Sequence, residues 1–259
     1  MMNLFNFKNP EDILYRISRD YIQYTNYGLI NDDGGAVSDG MMCAEANNYL
    51  ELFSLADLPV PAERLKFLEI GCGFGYGSQL INSIFNPESI LAIDLAPNAI
   101  YYANNKWESP NVAYENRKFS RQTAAMDSID LIFTVESGGD FPDDGAFRDA
   151  YGMLKKGGVF LVASINPIEE INRKKEFARA AGFEIYREKD VTGKVLSYLK
   201  SKIKSRVFYS TLEKLPLPYY ILCLLFMDRL KDLTRMPGSA TIDRLGTSEF
   251  YYHFCFRKR

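Results

Sequence analysis

Histidine is nearly absent from this chain: His253 is the only one in 259 residues. Metal chemistry through imidazole clusters is therefore not expected, since such sites lean on several ring nitrogens. Tryptophan is equally scarce, with Trp107 alone. Four cysteines (Cys43, Cys72, Cys223, Cys255) are scattered without C-x-x-C spacing, which indicates neither a zinc site nor a disulfide framework. An excess of one charge is lacking too. Lys and Arg number 31 against 33 Asp and Glu, a formal net charge of −2, which leaves no footprint of nucleic-acid binding. The apolar run Tyr219 to Met227 is far too short to span a bilayer. No basic stretch followed by an apolar core and a small-residue cleavage site opens the sequence, so a cytoplasmic, reduced-thiol protein is the expectation.

Aromatic side chains are abundant, with 17 Tyr and 18 Phe, and an apolar fraction of 47% is enough for a sizeable core. Part of that aromatic load can line a pocket for an apolar ligand, and core packing would account for it equally. The chain turns on residues 65–77. Leu65, Phe67, Leu68 and Ile70 read as a buried strand, glycines follow at Gly71, Gly73, Gly75 and Gly77, and Ser78 to Phe85 is helix-compatible. Strand, glycine turn and helix bring backbone N–H groups and a helix N-terminus close to a ligand. Glycine is required there because a side chain would block the approach or forbid the backbone angles. The dinucleotide pattern G-x-G-x-x-G fails in both frames, its third position falling on Tyr76 or Ser78.

Ser89 to Asp94 reads as a second buried strand ending in a carboxylate. An acid about 20 residues beyond the glycines is where nucleoside-binding α/β folds hold ribose hydroxyls, and two carboxylate oxygens can accept from both. Further strands are expected at Asn111–Glu115, Ser128–Ser137, Val159–Ile165, from Phe183 to about Val191, and at Glu249–Phe256. Helices are expected over 10–24, Met41–Leu55, from Pro97, over Phe147–Leu154 and over Glu169–Ala181. The alternation over 65–191 predicts a parallel sheet with helices on both faces. In the final strand, period-two alternation puts His253 on the face of Tyr251 and Cys255. A lone histidine on an edge strand is more often structural than a base.

The segment Glu69-Ile70-Gly71-Cys72-Gly73-Phe74-Gly75, with an acid just before the first glycine, resembles motif I of the class I S-adenosylmethionine-dependent methyltransferases. Glu136-Ser137-Gly138-Gly139-Asp140-Phe141-Pro142-Asp143 is similar to the Glu-Ser-x-x-His-x-x-Asp segment of the small-molecule, natural-product and sterol-type branch. Leu154-Lys155-Lys156-Gly157-Gly158 matches that family's Leu-Lys-Pro-Gly-Gly turn, with lysine for proline. The resemblance covers 20–191 and the final strand. It implies an α/β, Rossmann-like doubly wound seven-stranded sheet, last strand antiparallel, with helical cap elements. The domains it implies are a helical lid over 1–60, a cofactor-binding core over 61–192, a helical cap over 193–246 and the last core strand over 247–259.

The resemblance further implies S-adenosyl-L-methionine as cofactor, with S-adenosyl-L-homocysteine as product. Its site would be made by Glu69, Gly71, Cys72, Gly73, Gly75, Asp94, Leu95 on the adenine face, Asn116, Val135 and Tyr21. The candidate catalytic groups are Asp140, Glu136 and His253. Asp140 stands where many relatives carry a histidine base, and an aspartate is a weaker base unless desolvation raises its pKa. It could instead hold a cationic acceptor. Tyr24, Tyr27, Ser137 and Tyr219 are the substrate-side candidates. Asp140, Asp143 and Asp144 form an acid cluster more in keeping with solvation than with chelation. No metal is expected. The implied reaction is methyl transfer to O or N of a small, largely apolar or aromatic metabolite. The alternatives are carbon methylation of an isoprenoid or sterol-like alkene, and a cofactor-binding regulatory protein without transfer. Lysines within 194–227 leave a further choice between a cap over the acceptor and a basic surface touching a membrane or lipid-like substrate.

Overall fold

The computed structural model describes residue 29 and residues 41–137, 141–200 and 240–259. Seven strands form one sheet: β1 (Lys66–Ile70), β2 (Ser89–Asp94), β3 (Val112–Asn116), β4 (Ile129–Val135), β5 (Leu154–Asn166), β6 (Phe183–Asp190) and β7 (Phe250–Lys258). Their order is β3-β2-β1-β4-β5-β7-β6. Strands β1 to β5 pair in parallel, and β7 runs antiparallel between β5 and β6. The central strands read as near-continuous apolar runs because both their faces are covered. In β4, Leu131, Ile132 and Phe133 are all fully buried, on alternate sides.

Helices α1 (Met41–Phe53), α2 (Tyr76–Phe85), α3 (Pro97–Lys106) and α6 (Thr192–Leu199) cover one face, through Leu52, Phe53, Ile81, Ile100 and Val195. Helices α4 (Asp144–Met153) and α5 (Ile168–Ala181) cover the other, through Phe147, Met153, Ile171 and Ala178. A short α7 (Ala240–Arg244) precedes β7. Local chemistry sets the helix ends. Pro97 opens α3, where its missing N–H costs nothing. Asp143 caps α4, accepting from the Ala146 N–H at 2.7 Å. Gly182, at φ 103°, closes α5.

Two expectations are corrected here, and the acid cluster is resolved in part. His253 does not lie on an edge strand: β7 is interior and β6 is the edge. The Lys155-Lys156-Gly157-Gly158 turn is part of β5, as a bulge. Leu154 stands opposite Ile129 and Val159 opposite Leu131, and Gly157 absorbs the extra length at φ 81°. Of the acid cluster, Asp143 is a helix cap and Asp144 pairs with Arg148 one turn on. No group of metal-ligating side chains forms among the described residues. No helix among them is long and apolar enough to cross a membrane.

The α4–α5 side rests on an aromatic cluster. Phe147, wholly buried, meets the rings of Phe160, Phe183 and Phe256 at 5.7, 6.3 and 5.1 Å. Phe147→Ala should cost about 3–5 kcal/mol of stability, read from the midpoint of urea unfolding.

Candidate active site

The strand order reverses between β1 and β4, and the loops after those two strands meet at their carboxyl ends, where an open α/β sheet forms its crevice. After β1, Gly71, Gly73 and Gly75 take φ of 75°, 53° and 79°, a region L side chains rarely enter. Space is short as well. A Cβ on Gly71 would lie 2.1 Å from Ser137 Oγ, and one on Gly75 would lie 2.6 Å from the Tyr114 ring. The loop is tied to β2, with the N–H groups of Gly71 and Cys72 both donating to the Ile93 carbonyl.

Two carboxylates sit at this loop. Glu69 is buried beneath it and accepts from Ser78 Oγ and, at 3.3 Å, from Tyr49 OH. Burial raises its pKa from 4.5 to about 7, against the pull of the Ser78 and Tyr49 hydrogen bonds. Asp94, at the end of β2, accepts from the N–H of Gly73 and of Ala96, each at 2.8 Å. Burial raises it too, and those backbone donors oppose the rise. Its neighbour Leu95 is 65% exposed, an apolar face left open beside the carboxylate.

The loop after β4 brings a third carboxylate. Glu136 holds φ 57°, strained for a side chain of its size, and its N–H donates to the Ala163 carbonyl of β5 at 3.0 Å. Tyr251 OH donates to Glu136 Oε1 at 2.6 Å. Ser137 Oγ donates to the Ile70 carbonyl and is hydrogen-bonded to Thr134 Oγ1, so this hydroxyl works in the floor of the loop. Lys174 of α5, 2% exposed, donates to the Phe141 carbonyl at 2.7 Å and holds the far end of the segment.

The structure thus brings together Glu69, Gly71, Gly73, Gly75, Asp94, Glu136 and Ser137. Val135 and Cys72 are buried at the same strand ends, and burial pushes the Cys72 thiol well above its ordinary pKa. Asn116 ties β3 to β2 by donating to the Asp94 carbonyl at 2.9 Å. His253 is fully buried and burial pulls its pKa down to about 3, so it stays neutral. Its Nε2 faces Asn48 Oδ1 at 2.6 Å. Tyr21, Tyr24, Tyr27, Asp140 and Tyr219 lie outside the described residues. Residues that the sequence reading missed are Asn48 and Tyr49 of α1, and Tyr114 under the loop. The available signal was Glu45, Asn48 and Tyr49, polar groups at helical spacing among the apolar positions of α1.

A cofactor bearing a sulfonium, an ammonium and ribose hydroxyls fits this donor set. Glu69 and Asp94 stand at a loop whose Gly71 and Gly75 leave no room for a Cβ, and among the described residues no lysine or arginine is hydrogen-bonded to either carboxylate. Residues 67–158 match the Methyltransferase domain family. A fatty-acid O-methyltransferase of Mycolicibacterium smegmatis is 24% identical over 160 residues, 60% of this chain and 57% of its own. A phthiotriol/phenolphthiotriol dimycocerosates methyltransferase of Mycobacterium leprae is 19% identical over 158 residues, 61% of this chain and 58% of its own. The chain therefore spans less than two thirds of the length of these curated relatives. The cyclopropane synthase MmaA2 from Mycobacterium tuberculosis shares the fold at a TM-score of 0.70 and 14% identity, over 96% of this chain and 94% of that one. With the sheet order and the glycine loop, these matches support a class I S-adenosylmethionine-dependent methyltransferase domain in the core of this chain.

Two outcomes follow from the site. Gly71→Ala and Asp94→Ala should each abolish micromolar binding of S-adenosylhomocysteine in calorimetry, with circular dichroism confirming that both variants fold. The Glu69 proton is held more tightly in the folded chain, so this residue's contribution to stability falls as pH rises from 4.5 to about 7. Between roughly pH 5 and pH 8 the wild type should therefore lose about 3 kcal/mol relative to Glu69→Gln, measured by urea unfolding at each pH.

Proposed function

We propose that this chain methylates an oxygen, most readily a hydroxyl, of a lipid-like and largely apolar acceptor. The observation that carries this reading is the Glu136 carboxylate, fixed one residue from the hydroxyl that underlies Gly71. When bound, S-adenosylmethionine supplies an electrophilic methyl group on a sulfonium. Asp94 offers two oxygens to ribose hydroxyls, Leu95 an apolar face to adenine, and Glu69 a carboxylate beneath the loop. Glu136 orients the acceptor hydroxyl and takes its proton as oxygen attacks, a contribution of about 10²–10⁴-fold for a well-placed base. Alignment and exclusion of water provide the remainder. The lipid class of the acceptor is supported by the fatty-acid and dimycocerosate relatives, and an amine would be served by the same carboxylate. Asp140 is the second candidate base.

Ricinoleate tests the choice of atom, because one molecule carries a carboxylate, a secondary hydroxyl and an alkene. Incubated with methyl-labelled S-adenosylmethionine, beside fatty alcohols, phenolic lipids and amines, it should yield an O-methyl product by mass spectrometry. Glu136→Gln should lower kcat about 10²-fold or more while leaving S-adenosylhomocysteine affinity unchanged. Methyl on a former alkene carbon would favour carbon methylation instead. Binding of the cofactor without transfer to any acceptor would point to a regulatory protein.

A further inference from the structure

Four side chains from three elements form one continuous hydrogen-bonded line that ends on Glu136. His253 Nε2 meets Asn48 Oδ1 at 2.6 Å, Asn48 Nδ2 donates to Tyr251 OH at 2.8 Å, and Tyr251 OH donates to Glu136 Oε1 at 2.6 Å. His253, Asn48 and Tyr251 are all 0% exposed. The backbone supports the same arrangement. Tyr251 is pinned by its N–H to Thr192 Oγ1 at 2.8 Å and by its carbonyl to the Val191 N–H at 2.9 Å. Glu136 is pinned to Ala163, the residue that pairs with His253 across β5 and β7.

The line has a direction. A tyrosine hydroxyl has one hydrogen, and an amide has one donating and one accepting end. With Asn48 Nδ2 donating to Tyr251, the tyrosine proton must go to Glu136, and Asn48 Oδ1 must accept from a protonated Nε2. The opposite order would place the imidazole proton on Nδ1. That atom is buried and has no hydrogen-bond partner among the described residues. A buried N–H without a partner is costlier than an unfilled lone pair. The imidazole is therefore neutral with its hydrogen on Nε2, every hydrogen in the line points toward Glu136, and the carboxylate receives a donor suited to its ionised form. The strained φ of Glu136 fits the same picture, since such a conformation persists only where its surroundings enforce it.

Resting on the reading of Glu136 as the acceptor-side carboxylate, we propose that Tyr251 is a positioning residue for methyl transfer. Oriented by Asn48 and His253, it holds the Glu136 carboxylate in place at the end of β4. This gives the single histidine a part in the reaction without contact with substrate.

The lone histidine makes the test free of assignment. In protein labelled with ¹⁵N-histidine, the long-range ¹⁵N–¹H spectrum should show one neutral imidazole protonated at Nε2. A neutral imidazole with its proton on Nδ1 reverses the line and overturns the proposal. With ricinoleate as acceptor, Tyr251→Phe should lower kcat about 10–100-fold, with KM and S-adenosylhomocysteine affinity changed less than about threefold. Adding Tyr251→Phe to Glu136→Gln should cost nothing further, because the two act as a unit. Full kcat in Tyr251→Phe, or losses that simply multiply in the double variant, would overturn the positioning role. No O-methyl product from the wild type would fell the hydroxyl-acceptor reading, and the tautomer would then decide the direction of the line by itself.

Discussion

Helix α1 buries Glu45, Asn48 and Tyr49, and each must find its partner on the sheet or on the helix packed beside it. Glu45 accepts from Tyr198 at 2.9 Å, Asn48 bridges Tyr251 and His253, and Tyr49 reaches Glu69. Positions separated by three and four residues share a face, so one register and one angle of the helix satisfy all of them. A buried polar atom left without its partner costs about 1–3 kcal/mol, and three at once would exceed what packing could replace. The approach is so close that a Cβ on Gly77 would lie 2.4 Å from the Tyr49 ring. One helix thereby supports the carboxylate under the glycine loop and, through Asn48, the carboxylate after β4. The two carboxylates share a brace.

Carboxylates gathered at one end of a sheet repel each other and resist burial. The raised pKa of Glu69 records both effects, desolvation first and the charge of Asp94 last. Backbone N–H groups and hydroxyls offset part of the penalty at each acid. A cationic ligand offsets more, and it does so only when seated among them. The acid that weakens the fold as pH rises is thus one that a cation seated beside it would stabilise.

The sheet, its doubly wound order and the positions of Gly71, Gly73, Gly75 and Asp94 were legible in the sequence because each depends on local pattern. Apolar runs mark strands covered on both faces, and glycine marks a backbone angle. Pairing across the chain left no such trace. Asn48 and Tyr251 are 203 positions apart, and no periodicity in either segment announces the other. His253 was expected at an edge, since the last strand of a chain is easily pictured there. Ser137 suggested substrate contact by its place in a loop, whereas its hydroxyl secures the end of β1. The Lys-Lys-Gly-Gly stretch read as a turn, and the continuing ladder with β4 carried it through as a bulge instead.

The position of β7 has a consequence for how the molecule is made. Among the described residues strand β6 bonds to β7 and to no other strand, so Phe183–Asp190 joins the sheet only once Phe250–Lys258 has arrived. Strands β1 to β5 can add to neighbours already made as each emerges. The final step inserts a strand between β5 and the waiting β6, and the entropic cost of closing the segment from Asp190 to Phe250 must be met before any ladder bond rewards it. Tyr251 and His253 enter with that strand. The nascent chain can thus build its glycine cradle early, while the line of hydrogen bonds on Glu136 is completed last.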